Sequence, residues 1–166
     1  MITEDRLHHI IGVARKAYDI AKRMKLPEAL ARNMFALGWN HDIGYEFCPE
    51  DHAACGEKML PGYRYAFEIK KHGFPPDEQY GGLSWVILNL ADMTTSPTGD
   101  PVTIDERLEE ICNRYGKDHE YYLLAKGVCE RLRPFWMKWE REHEHFGNWW
   151  RLGGWKALTV DDPNCK

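Results

Sequence analysis

Residues 83–94 read LSWVILNLADMT, an apolar run broken near its end by a single carboxylate. Continuous apolarity suits a buried strand as well as a buried helix. Length decides between them: the run is about a dozen residues, longer than an ordinary strand, and no second strand candidate exists to pair with it. The expectation is a buried helix and an all-α fold, a compact helical bundle. Asp92 then sits where an ionised carboxylate is costly unless it is ionically partnered, and a metal explains it better than chance.

On the N-terminal side, the Pro- and Gly-rich stretch GFPPDEQYGG (73–82) reads as a loop. Before it, YRYAFEIKKHG (63–73) makes a helix that stops at Gly73, and Pro61-Gly62 punctuates the chain. Pro49 starts a shorter helix through DHAACGEKML (51–60). The segment PEALARNMFALGWNHD (27–42) carries Pro27 in its first turn and Leu30, Met34, Leu37 and His41 down one side. Gly44 is expected to break it, so its last turn delivers the pair His41-Asp42. From Glu4 to Lys25, Leu7, Ile10, Ile11, Ala14, Ala17, Tyr18 and Ala21 recur at helical spacing.

On the C-terminal side, TTSPTGDPV (94–102) is turn-rich, and Thr103 with Glu106 forms a capping box that starts IDERLEEICNRYG (104–116). A long helix is expected from about Asp118 to His145, with Pro134 as its bend. A chain of 166 residues buries one core and is too short for two ordinary domains. The reading is a core over 1–119, with a C-terminal helix and Trp-rich tail (120–166) packing on it.

The 22 Lys and Arg against 26 Asp and Glu give a net charge of -4, and like charges form no long block. A nucleic-acid polymer is therefore an unsuitable partner. A small phosphate ester stays in range, because a metal rather than the overall charge can hold it. Cys48, Cys55, Cys112, Cys129 and Cys165 are scattered, with no C-x-x-C pair, and read as reduced thiols of a cytosolic protein. The start MITEDRLHHIIG lacks the apolar core of a signal peptide, and no run reaches membrane-spanning length. The expected location is cytoplasmic, without a membrane partner.

Any one of the eight histidines reads most simply as a surface or hydrogen-bonded residue. Their joint placement says more. On a continuous helix His41 and Asp42 would point about 100° apart, but at a helix terminus both can turn to one cation. Imidazole with carboxylate suits Fe, Mn, Co, Ni or Zn better than Mg or Ca. His9 lies near the start of the first helix, His52 and His72 near the start and end of later ones, and Asp92 interrupts the apolar run. His119, His143 and His145 read as exposed helix residues.

The order His9, His41-Asp42, His52, His72, Asp92 resembles the HD superfamily, with its histidine, HD dipeptide and distal aspartate on successive helices. RLHHIIGVA resembles that family's first helix, whose ligand four residues before a Val-Ala pair selects His9 over His8. NHDIGYEF resembles the HD turn, DHAACGEKML the next histidine helix, EIKKHG the fourth site and LNLADMT the final aspartate helix, over about residues 6 to 95. The following stretch, ADMTTSPTGDPVTIDERLEEICNRYG, is similar to a group of bacterial members of unassigned substrate, which extends the match to about residue 119.

The two extra histidines imply the binuclear branch, with one metal on His9, His41, Asp42 and Asp92 and the other on Asp42, His52 and His72. Asp42 would bridge them and, with His41, stand at the catalytic centre. Two ions lower the pKa of a bridging water, supply hydroxide at neutral pH and neutralise charge on a phosphoryl oxygen. The implied reaction is hydrolysis of a phosphomonoester or phosphodiester in a nucleotide or small phosphorylated metabolite. Many phosphohydrolases of the superfamily carry a Lys shortly after the HD pair, where this chain has Tyr45 and Glu46. Lys71 or Arg107 are the candidate substitutes, against their plainer reading as solvated charges.

Two competing readings stand beside this one. The same six ligands resemble those of mixed-valent di-iron HD oxygenases, and ligands alone also fit a metal-stabilised binding module without turnover. Trp136, Trp139, Trp149, Trp150 and Trp155 are too dense for an inert end. Packing on the bundle is their first reading; a substrate cleft or a homodimer contact is the second.

Overall fold

The computed structural model describes residues 2–77 and 81–142, which among themselves are all-helical with no strand. The helices are α1 (Glu4–Arg23), α2 (Glu28–Asn40), α3 (His52–Met59), α4 (Ala66–Lys71), α5 (Leu83–Asp92), α6 (Ile104–Tyr115) and α7 (Glu120–Glu142). Short 3-10 turns at Ile43–Glu46 and Pro49–Asp51 join α2 to α3. An isolated bridge between Thr95 and Pro101 closes the loop after α5.

Helix α1 is capped by Thr3, whose hydroxyl accepts the Arg6 N–H at 3.2 Å. Glu4 and Asp5 sit at its positive end and Lys22 and Arg23 at its negative end. Its apolar face, Ile10, Val13, Ala14, Ala17, Ile20 and Ala21, is buried. Small residues let α2 approach closely: a Cβ on Gly38 would lie 2.8 Å from Ala14 Cα. The two backbones therefore pack against each other, which brings His9 to the end of α2.

Helix α5 packs on α1, α2 and α4, with Trp85, Ile87, Leu88 and Leu90 in the core as the apolar run predicts. Its buried polar groups are satisfied. Asn89 donates to Trp85 O at 2.9 Å and accepts the Gly73 N–H at 2.8 Å, and Trp85 Nε1 donates to Lys71 O at 3.3 Å. These bonds tie α5 to the end of α4, where His72 lies.

The α2–α3 junction differs from expectation. Helix α2 ends at Asn40; His41 keeps helical angles, while Asp42 leaves them at φ -103°, ψ 13°. Gly44 lies inside the 3-10 turn and is needed for space: a Cβ there would meet His52 O at 2.1 Å and Gly56 N at 2.7 Å. Pro49 opens the second 3-10 turn, so that His52 is the first residue of α3. The Thr103–Glu106 capping box of α6 is present.

Helix α7 starts at Glu120, buries Val128, Cys129 and Leu132, and contains Pro134. Its Tyr121 hydroxyl donates to Glu50 O at 3.0 Å. The chain divides into two units, Met1–Leu132 and Arg133–Lys166, and every candidate ligand falls in the first. The Trp-rich tail from residue 143, with His143, His145 and Cys165, lies outside the described residues. Among the described residues no helix is long and apolar enough to cross a membrane.

Candidate metal centre

Four helix ends and one helix interior deliver the six predicted residues to one place. His9 comes from the second turn of α1, His41 caps α2, Asp42 follows it, His52 opens α3, His72 caps α4 and Asp92 closes α5. The imidazoles form a chain around Asp42, with ring centroids 5.4 Å apart for His9 and His41, 5.3 Å for His41 and His72, and 5.1 Å for His72 and His52.

The two oxygens of Asp42 face different partners. Oδ2 lies 3.4 Å from His41 Nε2 and 3.9 Å from His9 Nε2, while Oδ1 lies 3.4 Å from His52 Nε2 and 3.6 Å from His72 Nε2. Asp92 Oδ1 stands 3.2 Å from His9 Nε2. Two donor sets, His9–His41–Asp42 and Asp42–His52–His72, thus share one carboxylate, and each can hold a metal ion.

Backbone carbonyls aim the rings. His9 Nδ1 lies 2.9 Å from Ser96 O, His41 Nδ1 2.7 Å from Gly38 O and His72 Nδ1 2.5 Å from Ile69 O. Each Nδ1 donates its proton to the carbonyl, which leaves Nε2 as a lone pair pointing into the cluster. The Ser96 carbonyl is positioned by the bridged loop, where Gly99 (φ 87°) lies so close to His8 O that a Cβ would stand 2.4 Å from it.

Burial opposes charge throughout. It pushes Asp42 upward, but His41, His72 and Arg6 outweigh it and hold that carboxyl well below the usual carboxylate range. Burial acts likewise on Asp92, and His9, His41 and Arg107 hold that carboxyl low. Burial takes His41 down to about 4 against the pull of Asp42, and with His72 lowers His52. Burial would lower His72 too, but its contact with Asp42 wins and raises it. His41 and His52 are therefore neutral near pH 7, the form that ligates metal.

The donor set fits a metal on an independent observation. His41 Nε2 is buried and has no hydrogen-bond partner. A buried, unpaired nitrogen lone pair carries a desolvation penalty of about 1–3 kcal/mol unless a ligand meets it. His52 Nε2 and His72 Nε2 converge to 3.2 Å beside Asp42 Oδ1, a geometry that a shared cation makes favourable.

Of the two predicted substrate contacts, Lys71 Nζ lies over the rings of Phe67 and Phe74, at 5.9 and 6.0 Å from their centroids. Arg107 pairs through Nη1 with Glu110, its Nε is buried without a hydrogen-bond partner, and its charge reaches Asp92. Sequence reasoning missed Arg6, whose Nη1 donates to Asp42 Oδ2 at 2.6 Å. Its spacing was a usable signal, since residues three apart on a helix share a face with His9. No protein-family model, curated protein or solved structure matches this chain.

Proposed function

We propose that the protein is a metal-dependent hydrolase of the HD superfamily that cleaves a phosphomonoester or phosphodiester bond in a nucleotide or other small phosphorylated metabolite. The observation that carries this reading is the division of Asp42, one oxygen toward His9 and His41 and the other toward His52 and His72. A carboxylate so divided suits two divalent transition-metal ions held side by side. His9, His41, Asp42 and Asp92 would hold one, and Asp42, His52 and His72 the other. When bound, such a pair supplies Lewis acidity and a water of lowered pKa.

The chain's own residues supply the geometry. The Nδ1–carbonyl bonds fix each imidazole, so no ring must reorganise as charge develops on the substrate. Asp42, His9, His41 and His72 are buried, whereas the side chains of His52 and Asp92 are 26% and 14% exposed. These two are the donors open to solvent, so substrate would reach the cluster from the sides that carry them.

Phosphate release from a mixed panel of nucleotides, dinucleotides and sugar phosphates, measured without oxygen and with Mn or Fe added, tests the reading. Turnover under those conditions is expected. Turnover that needs both O₂ and a reductant would instead assign a di-iron oxygenase, and tight metal binding with neither activity would assign a binding module.

A further inference from the structure

Arg6 stands one turn before His9 on the same face of α1, and it is held from three directions. Its backbone N–H caps onto Thr3 Oγ1 at 3.2 Å, its Nη1 donates to Asp42 Oδ2 at 2.6 Å, and its guanidinium carbon lies 3.8 Å from the ring centroid of Tyr45. The Tyr45 ring is in turn 4.7 Å from that of His52, on the exposed edge of the cluster. A cation stacked on an aromatic face keeps its plane fixed while its edge stays available to hydrogen-bond acceptors.

Serving Asp42 as a counter-ion does not exhaust what this arginine offers. A guanidinium has five N–H donors, and Asp42 takes one; the side chain is 21% exposed, so the fork reaches solvent. With two divalent ions bound, Asp42 and Asp92 offset only part of the metal charge, and Arg6 adds another positive charge to the same place. That surplus calls for an anion, and the fork geometry of arginine matches phosphoryl oxygens.

We propose that Arg6, stacked on Tyr45, is the phosphate-anchoring residue of this centre, donating to a non-bridging oxygen of the substrate's phosphoryl group while the same side chain steadies Asp42. This rests on the metal-dependent reading above.

The test uses the full chain loaded with manganese, with inorganic phosphate as the probe in titration calorimetry and manganese content measured on the same samples. Arg6→Ala is expected to keep its manganese and to bind phosphate about ten- to a hundredfold more weakly, the range for losing hydrogen bonds to a charged group. Arg6→Lys, which retains charge without the fork or the stack, should recover only part of that loss. Phosphate affinity in Arg6→Ala equal to wild type, or in Arg6→Lys equal to wild type, would overturn the anchoring role. Loss of manganese from both variants would also overturn it, since Arg6 would then serve only to hold Asp42. Failure of the wild-type chain to take up manganese would refute the metal reading itself and the anchor with it.

Discussion

A carboxylate with both oxygens engaged has no redundancy, and Asp42 is in that position. Replacing it by Ala should strip metal from both donor sets, whereas His52→Ala or His72→Ala should remove one ion and leave the His9–His41 set loaded; metal analysis of the three variants reads this directly. The converse outcome, full metal content in Asp42→Ala, would dissolve the shared site. The six clustered residues were picked out in the sequence by their joint order along the chain, no single histidine being distinctive, and Asp92 also by its place in an apolar run. Arg6 was legible only as a residue on the His9 face of α1; its role was not, because an arginine on the first turn of an amphipathic helix looks like any solvated charge until Tyr45 and Asp42 are seen beside it. The Ser96 carbonyl that orients His9 carries no side-chain signal at all.

Among the elements, the junction between α2 and α3 bears the tightest constraint. A methyl group on Gly44 would collide with His52 O and Gly56 N, backbone atoms that cannot rotate away. Gly44→Ala should destabilise the fold by about 3 kcal/mol, the upper range for overpacking, and should lower affinity at the His52–His72 set before the His9–His41 set. Denaturant unfolding and metal titration measure the two effects. Helix α1 was readable from apolar spacing, α5 from the length of its apolar run and α6 from its capping box, because Thr103 places a hydroxyl where a free N–H group needs it. The 3-10 turns were not, since stretches of three or four residues have no apolar period, and the crowding at Gly44 depends on residues eight and twelve positions away.

Across the whole molecule, Lys16 spans from α1 to the carbonyl of Thr94 just beyond α5. It is buried, and burial takes its ammonium well below the ordinary value of 10.5, with Asp19 opposing. Between its folded value and 10.5 the unfolded chain binds more protons, so stability rises with pH through that window and levels off above it. Each tenfold change in proton affinity is worth about 1.4 kcal/mol. Lys16→Met should therefore be less sensitive to pH than wild type in denaturant unfolding from neutral to alkaline pH, and an equal slope in both proteins would count against a depressed Lys16. The all-α class was legible from residues 83–94 together with the lack of a second strand candidate in the sequence, whereas the convergence of four helix ends was not, because it depends on close backbone approaches such as Gly38 on Ala14.

Whether one buried carboxylate holds two ions together can be read from electron paramagnetic resonance of the manganese-loaded chain, with metal content determined on the same sample. About two manganese ions per chain and an exchange-coupled spectrum are expected, as ions sharing a bridging carboxylate produce. No retained manganese, or only the hyperfine pattern of isolated ions, would contradict it.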